Sequence, residues 1–186
     1  MAAEDHLLEA EEKMDKAVEY LRNEYRGVRT GRASAGLVEH VKVNYYGAPT
    51  ELRQLATISC PDALLIAIKP YDPGSTQDIV KAIQASDIGI TPNSDGKVIR
   101  LSVPPLSEER RKQIVHQLKD MAEEARVSLR NIRRDCIKAI EAEQKAKEIS
   151  EDDAKRGEKE ATDMVHQHEK AVDEALQTKT DEVMES

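Results

Sequence analysis

Between Ser107 and about Lys147 the sequence has the period of one long helix. Apolar Ile114, Leu118, Met121, Ala125 and Ile132 recur at steps of four, three, four and seven, which is helical spacing and not the alternation of a strand. Ser107 is placed to cap its start, with Glu108 and Glu109 in the first turn, where acids suit the helix dipole. At 1.5 Å per residue such a helix is roughly 60 Å long, more than a compact domain of this size needs. Other helices must therefore lie along it.

A second row runs beside the apolar one. With 100° of turn per residue, Lys112, Lys119, Arg126, Arg130 and Arg133 fall within about 60° of one another, centred about 120° from the apolar row. Most charge rows are simply solvated helix faces. Two details separate this row from that reading. From Arg110 to Arg134 there are eight Lys or Arg against the acids Asp120, Glu123 and Glu124, so partners four residues away do not balance it. Its end is also all arginine, in Arg130, Arg133 and Arg134, whose planar fork suits phosphate.

Composition supports a thin core. The chain of 186 residues has no Trp or Phe and five Tyr, so helix seams built from aliphatic side chains fit better than a thick aromatic core. The net charge of −8 argues against a generally basic nucleic-acid binder, but it is unevenly distributed. Residues 141–186 carry fifteen acids and seven Lys or Arg, and residues 1–25 carry eight acids and three bases, which leaves 26–140 at +5. A polarised molecule can bind RNA on one side and hold the rest away. Cys60 and Cys136 stand alone, which favours a reducing compartment. No apolar run reaches membrane-spanning length, and the acidic start resembles neither a signal nor a transit peptide, so a soluble cytoplasmic protein is expected.

Taken in order, the first helix is expected over about Asp5–Val28, with Leu7, Met14, Val18, Leu21 and Tyr25 on one face. Arg26 and Arg29 near its end are explained by the helix dipole alone. Gly31 then breaks the period. Strands are expected at Val41–Tyr45, Leu55–Ser59 and Ala63–Ile68, then a short helix from Ser75 to Ser86 opened by a Ser75/Asp78 capping box. Ile88–Thr91 and Lys97–Val103 are expected to pair across Asn93–Gly96, before Pro104 and Pro105 end the module. Past the long helix, Ser150 and Asp153 mark the third helix, with Ala161, Met164, His168, Val172, Ala175 and Val183 as a small-residue seam.

Connectivity then gives an α+β fold, an elongated antiparallel three-helix bundle of residues 1–30 and 105–186 with a small β/α/β sandwich domain of residues 31–104 inserted between its first two helices. Two linkers join these parts. Gly31, Arg32, Ala33 and Ser34 with Val103, Pro104 and Pro105 form a two-strand hinge, or a stiff elbow if the prolines dominate. Enzymatic motifs are lacking. His166 and His168 point to different helix faces, no glycine-rich phosphate loop or nucleophile elbow occurs, and no metal or cofactor is expected.

Several blocks resemble the bacterial ribosome recycling factor family: Val28-Arg29-Thr30-Gly31-Arg32-Ala33, Tyr45-Tyr46-Gly47, Leu52-Arg53-Gln54-Leu55-Ala56, Pro104-Pro105-Leu106-Ser107-Glu108-Glu109-Arg110-Arg111-Lys112 and Val127-Ser128-Leu129-Arg130-Asn131-Ile132-Arg133-Arg134-Asp135. The resemblance runs the length of the chain in one register. It implies an L-shaped arrangement of rod and inserted module, and a non-enzymatic translation factor acting as a monomer. It also implies binding to the post-termination ribosome through large-subunit ribosomal RNA and, with elongation factor G and GTP, splitting of the subunits to release messenger and transfer RNA. Arg130 and Arg133 match the family's RNA-contacting arginines, with Arg29, Arg32 and Arg134 weaker matches and Arg126 drawn in by the helical row. The rival readings are a helical protein–protein adaptor without RNA binding and a hydrolase using carboxylates of the inserted module.

Overall fold

The computed structural model describes residues 2–185, which form three long helices and a small antiparallel α+β module. They group into two compact units. One runs up to Tyr25 and resumes over Val115–Asp181; the other spans Arg26–Ile114 and takes the chain from Glu182 onward.

Helix α1 (Ala2–Arg26), helix α4 (Glu108–Lys145) and helix α5 (Glu151–Glu185) supply the helical unit. Contacts fix their directions. Tyr25 lies against Leu118 and His6 against Cys136 and Glu143, so α1 and α4 are antiparallel; Arg126 meets Asp173 and Arg130 meets Glu169, so α4 and α5 are antiparallel too. Met14, Val18, Leu21, Leu118, Ala122, Leu129, Ile140, Ala161, Val165 and Val172 fill the seam. Val165, not the expected Met164, is the buried residue at that turn of α5, while Met164 is half-buried. Both expected caps form: Ser107 Oγ accepts from the Arg110 amide at 3.2 Å, and Ser150 Oγ accepts from the Asp153 amide at 3.1 Å. Tyr25 closes the α1–α4 seam by donating to the Leu118 carbonyl at 2.7 Å, and burial pushes its phenol up to about 12.

In the other unit, β1 (Lys42–Tyr45) and β2 (Ala48–Glu51) form a two-stranded hairpin across Tyr46 and Gly47, both at positive φ, the turn geometry that matches strand twist. A one-turn helix α2 (Leu52–Leu55) leads into β3 (Ala56–Asp62) and β4 (Leu65–Pro70). After helix α3 (Thr76–Ala85) come β5 (Pro92–Ser94) and β6 (Ile99–Ser102), and the four strands pair antiparallel in the order β3-β4-β6-β5. Their inner faces and α3 bury Val38, Val43, Ile66, Ile68, Ile79, Ile83, Ile99 and Leu101.

Two local expectations need correction. The hairpin expected at Ile88–Thr91 forms instead at Pro92–Ser94, because the Asp95 carboxylate accepts from the Lys97 amide at 2.9 Å and the Val98 amide at 2.8 Å and moves the turn toward the carboxyl end. The start of α3 is also not a Ser75/Asp78 box. Asp72 caps the preceding turn through the Gly74 amide at 2.9 Å, while Ser75 Oγ donates to the Asp72 carbonyl at 2.7 Å.

Candidate nucleic-acid interface

The cationic row on α4 is real, but α5 divides it. Arg126 is half-buried, with its side chain 22% exposed. Its guanidinium donates to Asp173 Oδ1 at 2.5 Å and to Glu123 Oε2 at 3.4 Å, and the Asp173 bond raises its pKa further above the arginine range. Arg130 is 48% exposed and more loosely held, with Nε 3.5 Å from Glu169 Oε1 and Nη1 3.4 Å from Glu123 Oε1. Arg133 is half-buried and, among the described residues, makes no hydrogen bond or ion pair, so its charge is uncompensated locally. Exposed Arg134 donates to the Asn131 side-chain oxygen, a neutral partner that leaves its charge intact.

Counting charges along α4 alone missed the acids that matter most, since Asp173 and Glu169 come from α5. A signal was present: Arg126 and Arg130 are four apart, as are Glu169 and Asp173, and antiparallel neighbours pair such sets in reversed order.

Arg29 and Arg32 belong to the other unit. Arg29 Nη2 donates to the Pro104 carbonyl at 2.8 Å while its buried Nε finds no partner among the described residues, so this side chain ties the two linker segments together. Arg32 is exposed and, among the described residues, has no partner. The linkers themselves are anchored to one turn of the sheet: the Ala33 amide donates to the Ala63 carbonyl at 2.7 Å and the Val103 amide to the Leu64 carbonyl at 2.8 Å. Gly31 is buried at φ +83, a conformation closed to proline and costly for any side chain.

Other chemistry is sparse. His168 is half-buried as expected of a seam residue, its Nδ1 2.7 Å from the Met164 carbonyl and its Nε2 2.7 Å from Asp15. Among the described residues no cluster of His, Cys, Asp and Glu could hold a metal ion. Burial raises the Cys136 thiol, so it is a poor nucleophile. No helix among the described residues is long and apolar enough to cross a membrane.

Comparison with known proteins bears on the family of the whole chain. The family model described as "Ribosome recycling factor" matches residues 21–184. A protein named ribosome-recycling factor from Acidothermus cellulolyticus is 48% identical over 182 residues, covering 98% of both chains, and one from Synechocystis is 46% identical over 177 residues, covering 95% of this chain and 97% of that one. A ribosome recycling factor solved in solution superposes with a TM-score of 0.82 at 39% identity, covering 100% of this chain and 99% of its own. A second structural match, at a TM-score of 0.70 and 36% identity over 98% of this chain and 99% of that one, is the T. thermophilus factor described with E. coli elongation factor G bound to the E. coli post-termination complex.

Proposed function

The chain belongs to the ribosome recycling factor family, and from that premise we propose that it acts on the post-termination ribosome together with elongation factor G. Its role is that of a translation factor. The finer reading is that phosphates of large-subunit ribosomal RNA bind the arginine end of α4 and anchor the chain. Elongation factor G, with GTP, then drives the subunits apart and frees messenger and transfer RNA. The reaction is the GTPase's, and the chain itself catalyses none.

The observation that carries the RNA reading is the contrast along α4: among the described residues Arg133 and Arg134 have no acidic partner, and Arg130 keeps only long contacts to two carboxylates. A phosphate offering short, two-pronged hydrogen bonds competes well for such groups. Arg126 serves instead as a strut between α4 and α5. Of the two arginines in the other unit, Arg32 has no partner among the described residues and Arg29 acts chiefly as a tie to Pro104.

The module of residues 31–104 is the proposed moving part, with Gly31, Arg32, Ala33 and Ser34 and Val103, Pro104 and Pro105 as its hinge. Because Ala33 and Val103 are bonded to neighbouring residues of one turn, both segments would shift as a pair. The test is light scattering of post-termination ribosomes mixed with the chain, elongation factor G and GTP. Loss of scattering that depends on all three supports subunit splitting. Scattering that stays constant, together with binding that survives ribonuclease and high salt, would favour the protein–protein adaptor.

A further inference from the structure

Two arginines four residues apart on α4 meet acids of α5, yet their pairs differ in kind. Arg126 is enclosed and holds Asp173 at 2.5 Å. Arg130 is half exposed and sits 3.5 Å from Glu169, well beyond the roughly 2.7–2.9 Å of a strong charge-assisted bond. Glu169 also has somewhere else to go: its other carboxylate oxygen lies 3.7 Å from His166 Nδ1, on the same helix. Glu123 remains with Arg126 through Oε2 whether or not Arg130 stays.

We propose that Glu169 is an exchangeable internal counter-ion for Arg130, occupying the guanidinium in the free protein and yielding it to an RNA phosphate on binding. The inference rests on the RNA-binding reading above and adds a residue to it. The free chain then presents Arg133 fully charged and Arg130 masked. Binding must displace a carboxylate at Arg130, which lowers affinity and the number of cations released from the RNA. Glu169 thus weakens the grip of a factor that has to let go. Asp173 does not share this role, because it holds the half-buried Arg126 in a short bond at 2.5 Å.

The experiment measures binding of the full chain to purified large ribosomal subunits across a salt series, with circular dichroism as the check on folding. Glu169→Gln should bind up to about five-fold tighter, the span of one exposed ion pair, with a salt slope steeper by about 0.7. Glu174→Gln supplies the control for overall charge, since Glu174 is exposed on α5 and pairs with no arginine among the described residues; it should change affinity less than Glu169→Gln and leave the slope as it is. In an Arg130→Ala background, Glu169→Gln should have no effect. The inference is overturned if Glu169→Gln binds no tighter, if Glu174→Gln matches its gain, or if the gain survives loss of Arg130. If Arg130→Ala itself binds like the wild type, the RNA-binding reading falls and the counter-ion with it. If Arg130→Ala weakens binding while Glu169→Gln changes nothing, the counter-ion alone falls.

Discussion

In the sheet unit the residues sealed from solvent are branched aliphatics such as Val38, Ile66, Ile68, Ile79 and Ile99, whereas the helical unit alternates Met14, Leu118 and Leu129 with Ala10, Ala122, Ala154 and Ala161. Small residues make a thin seam, and polar clamps supplement it there: Tyr25 to the Leu118 carbonyl, His6 to Glu143, His168 to Asp15 and Arg126 to Asp173. The sheet unit has charged clusters as well, but they lie at its surface, with Glu51 gathering His40, Lys42 and Arg53 and Asp95 holding Arg100. In one unit, then, charge and packing can be altered separately. In the other, charge also helps to hold the helices together.

The largest expected effect tests the aliphatic half of this contrast. Ile79→Ala should cost about 2–5 kcal/mol, the usual range for emptying a fully buried site, read from denaturant unfolding. A loss below about 1 kcal/mol would mean that the sheet core is no better packed than the helical seam.

Next comes Arg130→Ala combined with Arg133→Ala. Binding to large subunits should weaken by about 1.4–2.7 kcal/mol, or ten- to a hundred-fold, and the salt slope should fall by about 1.4 for two lost phosphate contacts. Folding stability should barely move, since neither side chain makes a short ion pair. Arg126→Ala should do the reverse, lowering the unfolding midpoint while leaving the slope alone.

Tyr25→Phe should cost about 1 kcal/mol by removing a buried hydrogen bond between α1 and α4, while Tyr46→Phe, on a residue 86% exposed, should cost nothing measurable. Tyr25 also gives the fold a dependence on pH. Because burial raises the Tyr25 phenol to about 12, above an ordinary value near 10, its contribution is intact below about pH 10 and is lost as pH climbs toward 12. Unfolding of Tyr25→Phe should lack that alkaline decline.

The smallest effect belongs to Asp95. The amides of Val98 and Lys97, and then Arg100, hold its carboxyl well below the usual range. Its contribution is therefore present above about pH 4 and lost as pH falls further. Asp95→Asn should flatten the acid limb of the sheet unit's stability, and an unchanged limb would show that the turn does not depend on the charge.

How much of this could be read from the chain depended on how local each determinant was. The period of Ile114, Leu118 and Ala125 announces α4 because a helix's buried face repeats in the sequence, and the Ser107 and Ser150 caps act within three residues. The β5–β6 hairpin slipped because the side chain of Asp95, not the Asn93–Gly96 spacing, sets the turn. Asp72 displaced Ser75 as the capping group for a similar reason, since an extra short turn precedes α3. The arginine row was legible as a row but not as a set of unequal members, because Asp173 and Glu169 lie more than thirty residues away and reach it only through packing of α5 on α4. The tie from Arg29 to Pro104 was hidden in the same way.

The most direct measurement is an electron cryomicroscopy structure of the chain on the large ribosomal subunit. The guanidinium groups of Arg130 and Arg133 should lie about 3 Å from RNA phosphate oxygens, with Arg126 still joined to Asp173. An α4 arginine face open to solvent or laid against ribosomal protein, with another surface touching the RNA, would contradict this.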